Sequence, residues 1–167
     1  MTTTVHCRLA GETELGAAAL LAREVFDEFV APFYSQEGRE EFHRYAATEA
    51  LRDRNRADHA TLIAESGEQM IGMLHLRQLR HVAMLFVDRA HQRDGVGRKL
   101  LAVAAALDLG FDRSVRRLTV NSSPNAVEAY RRLGFSPIGP EQIVHGIRFL
   151  PMELESTPTC CAEHRVE

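Results

Sequence analysis

Lysine is almost missing from this chain: of its 20 cationic side chains only Lys99 is a lysine. Cysteine is scarce too. Cys7, Cys160 and Cys161 make no disulfide framework, which fits a reducing cytosol. Cys160 and Cys161 lie with His164 in a polar tail after Pro158, and without a second ligand cluster they give no metal site. No apolar run approaches the roughly 20 residues that a membrane span needs. The opening "MTTTVHCRLAGE" lacks the charged-then-apolar order of a secretory signal, so the expected location is cytoplasmic. A net charge of −3 and a pI of about 6.2 provide no global basic field, which argues against a nucleic-acid partner. Repeats, low-complexity blocks and interdomain linkers are absent. The expectation is one domain over residues 1–155 and a polar tail over 156–167.

What is present is ordinary globular composition, 45% hydrophobic and 26% charged over 167 residues, enough for one well-cored domain. Residues 5–9 read as a first strand. "ETELGAAALLAREVFDEFV" reads as a helix with Leu15, Ala18, Ala19, Ala22, Val25, Phe26 and Phe29 on one face, ended by Pro32. Ser35 and Thr48 are placed as N-caps of two further helices, "QEGREEFHRYAA" and "EALRDRN". From Ala60 the period changes. "ATLIAE" and "MIGMLHLR" flank "SGEQ" as a hairpin, and "HVAMLFV" reads as a strand buried on both faces. A helix carrying Leu100, Val103, Ala104 and Leu107 follows, then a strand "RRLTVN". Ser123 and Pro124 open the next helix, Gly134 closes it, and "SPIG" and "HGIRFLPMEL" form final strands. The order predicts an α/β (α+β) fold, a mixed sheet with helices on both faces.

The informative stretch is "DRAHQRDGVGRKLL", residues 88–101, where two glycines sit among Arg89, Arg93, Arg98 and Lys99 between a strand and a helix. A helix N-terminus offers unpaired N–H groups and about half a positive charge, and glycine lets backbone approach a ligand closely. Together they suit an anion such as pyrophosphate. A plain strand-to-helix turn with solvated arginines is the competing reading. The dinucleotide fingerprint fails, because its third glycine would fall at Leu100, and a GxxxxGK[ST] loop is absent. A nucleotide-dependent oxidoreductase is disfavoured accordingly.

"QRDGVG" (Gln92–Gly97) resembles the [QR]-x-x-G-x-[GA] motif of the GNAT superfamily of N-acyltransferases, and it stands between the expected strand and helix. "RRLTVNSSPNAVEAYRRLGF" resembles that family's next strand and helix, ending in tyrosine and x-x-G-F (Tyr130, Gly134, Phe135). The similarity runs over about residues 5–154. It implies a mixed, mostly antiparallel sheet with a splayed parallel pair of strands at 81–87 and 117–121. It also implies an acetyl-coenzyme A site. Backbone of Leu85, Phe86 and Val87 would pair with the pantetheine arm. Amides of Gln92, Arg93, Asp94, Gly95, Val96, Gly97 and Arg98 would hold the pyrophosphate. Asn121 and Ser123 would contact the cofactor, although family members usually carry asparagine where Ser123 stands.

The implied reaction is acetyl transfer to a primary amine by direct attack. An alkylammonium of pKa near 10.4 is neutral about once in a few thousand molecules at pH 7, so a base is useful. The oxyanion would meet N–H donors near Leu85–Val87, and the leaving thiolate needs an acid. Tyr130 matches the family's thiol-protonating tyrosine; its helical spacing with Ala126 and Leu133 is also that of a core residue. His81, six residues before Val87, stands where some members place a glutamate, and its ordinary pKa near 6.5 suits a base working near neutrality. His75 is its rival, and Glu65, His91, Glu141 and His145 stay open. Residues 12–50 hold nine acidic and three basic side chains, in the region that walls the family's acceptor site; most read as solvated helix faces, and the excess is compatible with an amine-bearing cation as acceptor. The acceptor is a small molecule or a peptide, and the chain a monomer or homodimer. The rival function is a non-catalytic acyl-coenzyme A sensor, against which Tyr130 argues.

Overall fold

The computed structural model describes residues 4–107 and 116–156. Among these described residues, eight strands and five α-helices follow one another as β1 (Val5–Leu9), α1 (Leu15–Phe29), α2 (Gln36–Tyr45), α3 (Thr48–Ala57), β2 (His59–Ser66), β3 (Gln69–Arg77), β4 (His81–Val87), α4 (Val96–Ala106), β5 (Arg116–Ser122), α5 (Val127–Arg132), β6 (Ser136–Pro137), β7 (Gln142–Val144) and β8 (Ile147–Ser156). They form a single sheet in the order β1-β2-β3-β4-β5-β8-β6, with β7 paired to β8. All neighbours run antiparallel except β4 and β5.

The period-two alternation of the strands divides the apolar residues between two cores. Leu62, Leu74, Leu76, Val82 and Val120 face α4 and α5, packing with Val96, Leu100, Ala104 and Tyr130. Ile63, Met73 and Met84 face the opposite way, against Ala18, Ala22, Phe26, Phe42 and Leu51 of α1, α2 and α3. Helices therefore cover both faces, as the element order predicts.

Local chemistry sets the helix ends. The Gly11 N–H donates to Glu14 Oε2 at 2.7 Å, and a short 3₁₀ turn over Glu12–Glu14 leads into α1. A second such turn containing Pro32 follows it. Ser35 caps α2, its Oγ accepting from the Gly38 N–H at 3.1 Å. Thr48 is not a cap: Ala47 takes that position and Thr48 is the first helical residue. Ser123 precedes a 3₁₀ turn over Pro124–Ala126, and its side chain makes no capping bond. The hairpin turn between β2 and β3 is tighter than "SGEQ" suggests, because Ser66 and Gln69 still pair across it.

Two expectations need larger corrections. "HVAMLFV" is not buried on both faces; Val82 and Met84 are buried while His81, Ala83, Leu85, Phe86 and Val87 are half-exposed. The chain also contains a strand not foreseen, β7, which pairs Val144 with Ile147 through a tight turn at His145 and Gly146. The residues after 156, including Cys160, Cys161 and His164, lie outside the described residues.

Candidate active site

The sheet fails to close along one line, and that line makes the site. The parallel ladder between β4 and β5 has two rungs, His81 with Thr119 and Val82 with Val120. Beyond Val82 the main-chain groups of β4 on that side have no strand partner among the described residues. On its other edge, β4 pairs with β3 on either side of Ala83, which has no partner in the register. Such a bulge bends a strand and increases its twist. The strands thus part just after the bulge.

A cavity of about 500 Å³ opens at this split. Its wall draws on α1 and α2 (Phe26, Val30, Glu41, Phe42, Tyr45), on Tyr34 between them, and on Arg77 at the end of β3. His81 and Ala83–Phe86 come from β4, Val120 and Asn121 from β5, and Ser123, Ala126 and Tyr130 from the segment after it. The β7–β8 hairpin adds Val144, His145, Ile147 and Phe149. That hairpin is seated on α2 by a glycine-to-glycine contact. A Cβ at Gly38 would stand 2.4 Å from the Gly146 carbonyl oxygen, and one at Gly146 would meet Ser35 Oγ at 2.6 Å. Only glycines allow so close an approach.

Tyr130 is 8% exposed, and its ring meets Phe135 edge-on, with centroids 5.3 Å apart. Helix α5 stops two residues later in a Schellman motif. The Phe135 N–H donates to the Tyr130 carbonyl and the Gly134 N–H to that of Arg131, each at 3.0 Å, with Gly134 at φ +98°. The L-G-F ending therefore fixes the tyrosine's backbone as well as its ring. Its hydroxyl makes no hydrogen bond among the described residues, and it is not among atoms buried without a partner. It opens on the cavity. Burial, and secondarily the Tyr34 phenol, push its pKa above the ordinary 10, so the group stays protonated.

The two histidines part company. His81 lines the cavity, its Nδ1 2.9 Å from Thr119 Oγ1, and burial together with the Arg77 charge lowers it to about 4. The expected titration near neutrality is therefore displaced downward, because the site disfavours the imidazolium. His75 is fully buried and away from the cavity. Arg54 Nε donates to its Nε2 at 3.3 Å, which leaves the proton on Nδ1 to donate to Thr61 Oγ1 at 2.9 Å. The Thr61 hydroxyl then donates to Asn55 Oδ1 at 3.0 Å. Burial, then Arg54 and His59, lower His75 to about 3. Both nitrogens are engaged, and His75 ties α3 to the sheet.

Of the other open candidates, Glu65 is held by Arg8, His91 by Asp88 and Glu141 by Arg148, all outside the cavity; only His145 lines it. The acidic excess over 12–50 behaves likewise. Glu12, Glu14, Asp27, Glu28 and Glu49 sit in surface ion pairs. Glu41 alone of that group reaches the cavity wall, and it is paired with Arg44.

At the C-terminal end of β4 the chain turns through Arg89–His91 and enters α4 at Val96. Arg93 and Gly95 have φ of +69° and +79°, and Gln92–Gly95 are exposed. Gly95 is the N-cap, and no side chain caps the helix. A Cβ at Gly95 would have no neighbour within 4 Å, so the glycine is required by its φ and not by lack of space. The first-turn N–H groups are thus left to a ligand or water. Arg98 Nη2 donates to the Arg132 carbonyl at 3.1 Å, tying α4 to the end of α5. Leu85, Phe86, Asn121 and Ser123 share the cavity with Tyr130 and His81, while Gln92–Arg98 form the adjoining loop. Val87 stands apart from the lining: it pairs with Gly72, and its carbonyl accepts from Gln92 Nε2 at 3.1 Å.

Sequence reasoning missed the aromatic wall. All three tyrosines and four of the eight phenylalanines in the chain (Phe26, Phe42, Phe86 and Phe149) line this one cavity. Phe26 and Phe42 stack with centroids 3.7 Å apart, and Phe86 and Tyr34 meet them edge-on at 5.6 Å. Burial pushes Tyr34 up to about 12.

Residues 30–156 match the model of the acetyltransferase (GNAT) domain. A GCN5-related N-acetyltransferase of Rhodopseudomonas palustris superposes with a TM-score of 0.73 at 21% identity, over 93% of this chain and 98% of that one. PaiA N-acetyltransferase of Thermoplasma acidophilum, solved with coenzyme A, gives 0.71 at 21% identity over 92% and 99%. A ribosomal-protein-alanine N-acetyltransferase of Brucella melitensis gives 0.61 at 21% identity over 90% and 99%. No curated protein matches the chain in sequence.

Proposed function

Because the chain belongs to the GNAT family of acetyltransferases, we propose that it moves an acetyl group from acetyl-coenzyme A to a primary amine by direct attack, with Tyr130 as the acid. The observation that carries the reading is the junction of three features on one split of the sheet. They are a strand edge without a partner beyond Val82, an uncapped glycine loop at its far end, and a protonated tyrosine on the cavity between the two strands.

The residues fit acetyl-coenzyme A. The free edge of β4 at Leu85 and Phe86 can take up an extended amide-bearing arm as a strand would. The α4 N-terminus, with Gln92–Arg98 around it, supplies backbone donors and a positive dipole for pyrophosphate. Asn121 and Ser123 add polar contacts on the opposite wall. The cofactor supplies an activated acetyl thioester.

The chain's own residues perform the proton work. N–H groups at Leu85–Val87 would stabilise negative charge on the carbonyl oxygen as it develops. Tyr130 gives its proton to the leaving sulfur; its raised pKa keeps that proton available through the neutral and alkaline range. His81, with Nδ1 engaged by Thr119, takes the proton from the attacking nitrogen at Nε2 in its neutral form. No helix among the described residues is long and apolar enough to cross a membrane.

The test has two parts. Acetyl-coenzyme A at 100 times its Kd should stabilise the protein by about 2.7 kcal/mol, whereas NAD should not shift its melting point. Thiol release should then depend on an added primary amine. Binding without amine-dependent release would replace the enzyme by a non-catalytic acyl-coenzyme A sensor, and no binding would end the reading.

A further inference from the structure

The cavity wall is short of negative charge and rich in rings. A site for a polycation needs several carboxylates, yet among the described residues Glu41 is the one carboxylate lining the cavity, and Arg44 is paired with it. The counter-charge on the wall is of the opposite sign. Arg77 lines the cavity and makes no ion pair or side-chain hydrogen bond among the described residues. A guanidinium with five free donors suits a carboxylate, which it can hold through two parallel hydrogen bonds.

Its position gives the carboxylate an address. Arg77 and His81 are cross-strand partners on β3 and β4, and such pairs hold their Cβ atoms about 5 Å apart. The group that would fix an anion thus stands next to the group that would receive the amine's proton. A molecule with amine and carboxylate on one carbon can present one group to each of these neighbours. The rest of the wall, with its stacked Phe26 and Phe42 and the hairpin's Ile147 and Phe149, offers apolar area for a side chain. A volume of about 500 Å³ lies in the small-molecule range, roughly 300–1,000 Å³.

Resting on the acyl-transfer reading above, we propose that the acceptor is a small α-amino acid with an aromatic or bulky apolar side chain, its carboxylate held by Arg77 and its ring by the aromatic wall. The experiment compares L-phenylalanine, phenethylamine (no carboxylate), glycine (no ring) and spermidine (polycation), reading coenzyme A thiol release. The expected kcat/KM for phenylalanine exceeds each of the others by about tenfold or more. In Arg77→Met, the ratio of phenylalanine to phenethylamine should fall by about tenfold. That ratio cancels differences in amine pKa and any effect of the lost charge on His81. Spermidine or phenethylamine as the better substrate, glycine equal to phenylalanine, or an unchanged ratio in Arg77→Met would overturn the proposal. Calorimetry separates the two levels. Acetyl-coenzyme A that binds without phenylalanine being acetylated defeats this inference alone, whereas acetyl-coenzyme A that does not bind defeats the reading beneath it.

Discussion

Replacing Tyr130 by phenylalanine removes one oxygen and leaves the ring against Phe135, the Schellman ending and the apolar contacts of α5 in place. The hydroxyl has no protein partner among the described residues and opens on the cavity. Its loss should therefore cost folding less than about 0.5 kcal/mol, a melting shift of about 1–2 °C for a chain of this size. The chemical step is another matter. A positioned acid contributes roughly 10²–10⁴ in rate, which is about 2.7–5.4 kcal/mol of barrier. The thiolate that must otherwise leave unprotonated is the reason for the difference. The assay is continuous detection of free thiol with one amine acceptor, giving kcat, the KM for acetyl-coenzyme A and, in parallel, the melting temperature. The expected pattern is a kcat lower by at least a hundredfold with the other two nearly constant. If Tyr130 is the acid, its proton is lost only as pH rises through its raised pKa, so the parent protein should show no falling limb from it below about pH 10. A mutant kcat within threefold of the parent would return Tyr130 to a packing role. So would a loss matched by equal loss of cofactor affinity and stability.

His81, held at about 4, is neutral over the working range, so its own acidic limb in kcat/KM belongs near pH 4 and the rise at higher pH belongs to the amine. His81→Gln should lower kcat at pH 7–8 by roughly a hundredfold and leave the amine limb in place; a pH–rate profile with unchanged kcat would hand the proton to water. The same depressed pKa means that, as pH falls below about 6.5, the unfolded chain takes up a proton before the folded one does, so stability declines towards pH 4. Urea titrations at both ends of that window should show a shallower decline in the glutamine variant. Gly95→Val meets no clash but forces a β-branched residue to a φ of +79°, so it should cost about 1–2 kcal/mol of stability and at least tenfold in acetyl-coenzyme A affinity by calorimetry, unaltered affinity removing the loop from the site. Gly38→Ala normally gains up to about 1 kcal/mol in a helix, but the 2.4 Å approach to the Gly146 carbonyl outweighs it. A lower melting temperature and a raised KM for the amine are expected, and a higher melting temperature would show that the hairpin is not seated on α2.

The fold was legible where one residue decides one local event. Ser35 caps α2, Gly134 ends α5 with a positive φ, and Gly95 turns the chain into α4. Each acts on backbone within a few positions of itself, so sequence spacing suffices to see it. Reading failed where a residue's neighbours come from elsewhere in the chain. Thr48 has the chemistry of a cap and is not used as one, since Ala47 already holds the extended position before the helix. β7 is three residues long, exposed throughout and formed by pairing with β8, and no hydrophobic alternation announces it. The same holds for the cavity's rings. Phe42 on α2, Phe86 on β4 and Phe149 on β8 have no common period, and only the tertiary fold brings them to one wall.

The split in the sheet explains why the surroundings of the candidate site residues were not legible in the sequence. "HVAMLFV" reads as a buried strand because its composition is apolar, and composition does not record that one edge goes unpaired. Ala83 is the residue without a partner in the register with β3. The extra residue resets the alternation after Val82, so Val82 packs towards α4 and Met84 and Phe86 towards α1 and α2. The reset puts Phe86 on the same face of β4 as His81, and both line the cavity. The bulge thus puts the polar start of β4, with its Thr119 and Arg77 neighbours, and the open apolar end of β4 on the same cavity. The histidine's low pKa has its cause beside the split: His81 stands on the rung with Thr119, where β4 and β5 are still paired, so it is buried, and the adjacent arginine adds like charge. His81 reads as a near-neutral base from its residue type, and burial beside Arg77 instead holds its imidazole neutral down to about pH 4.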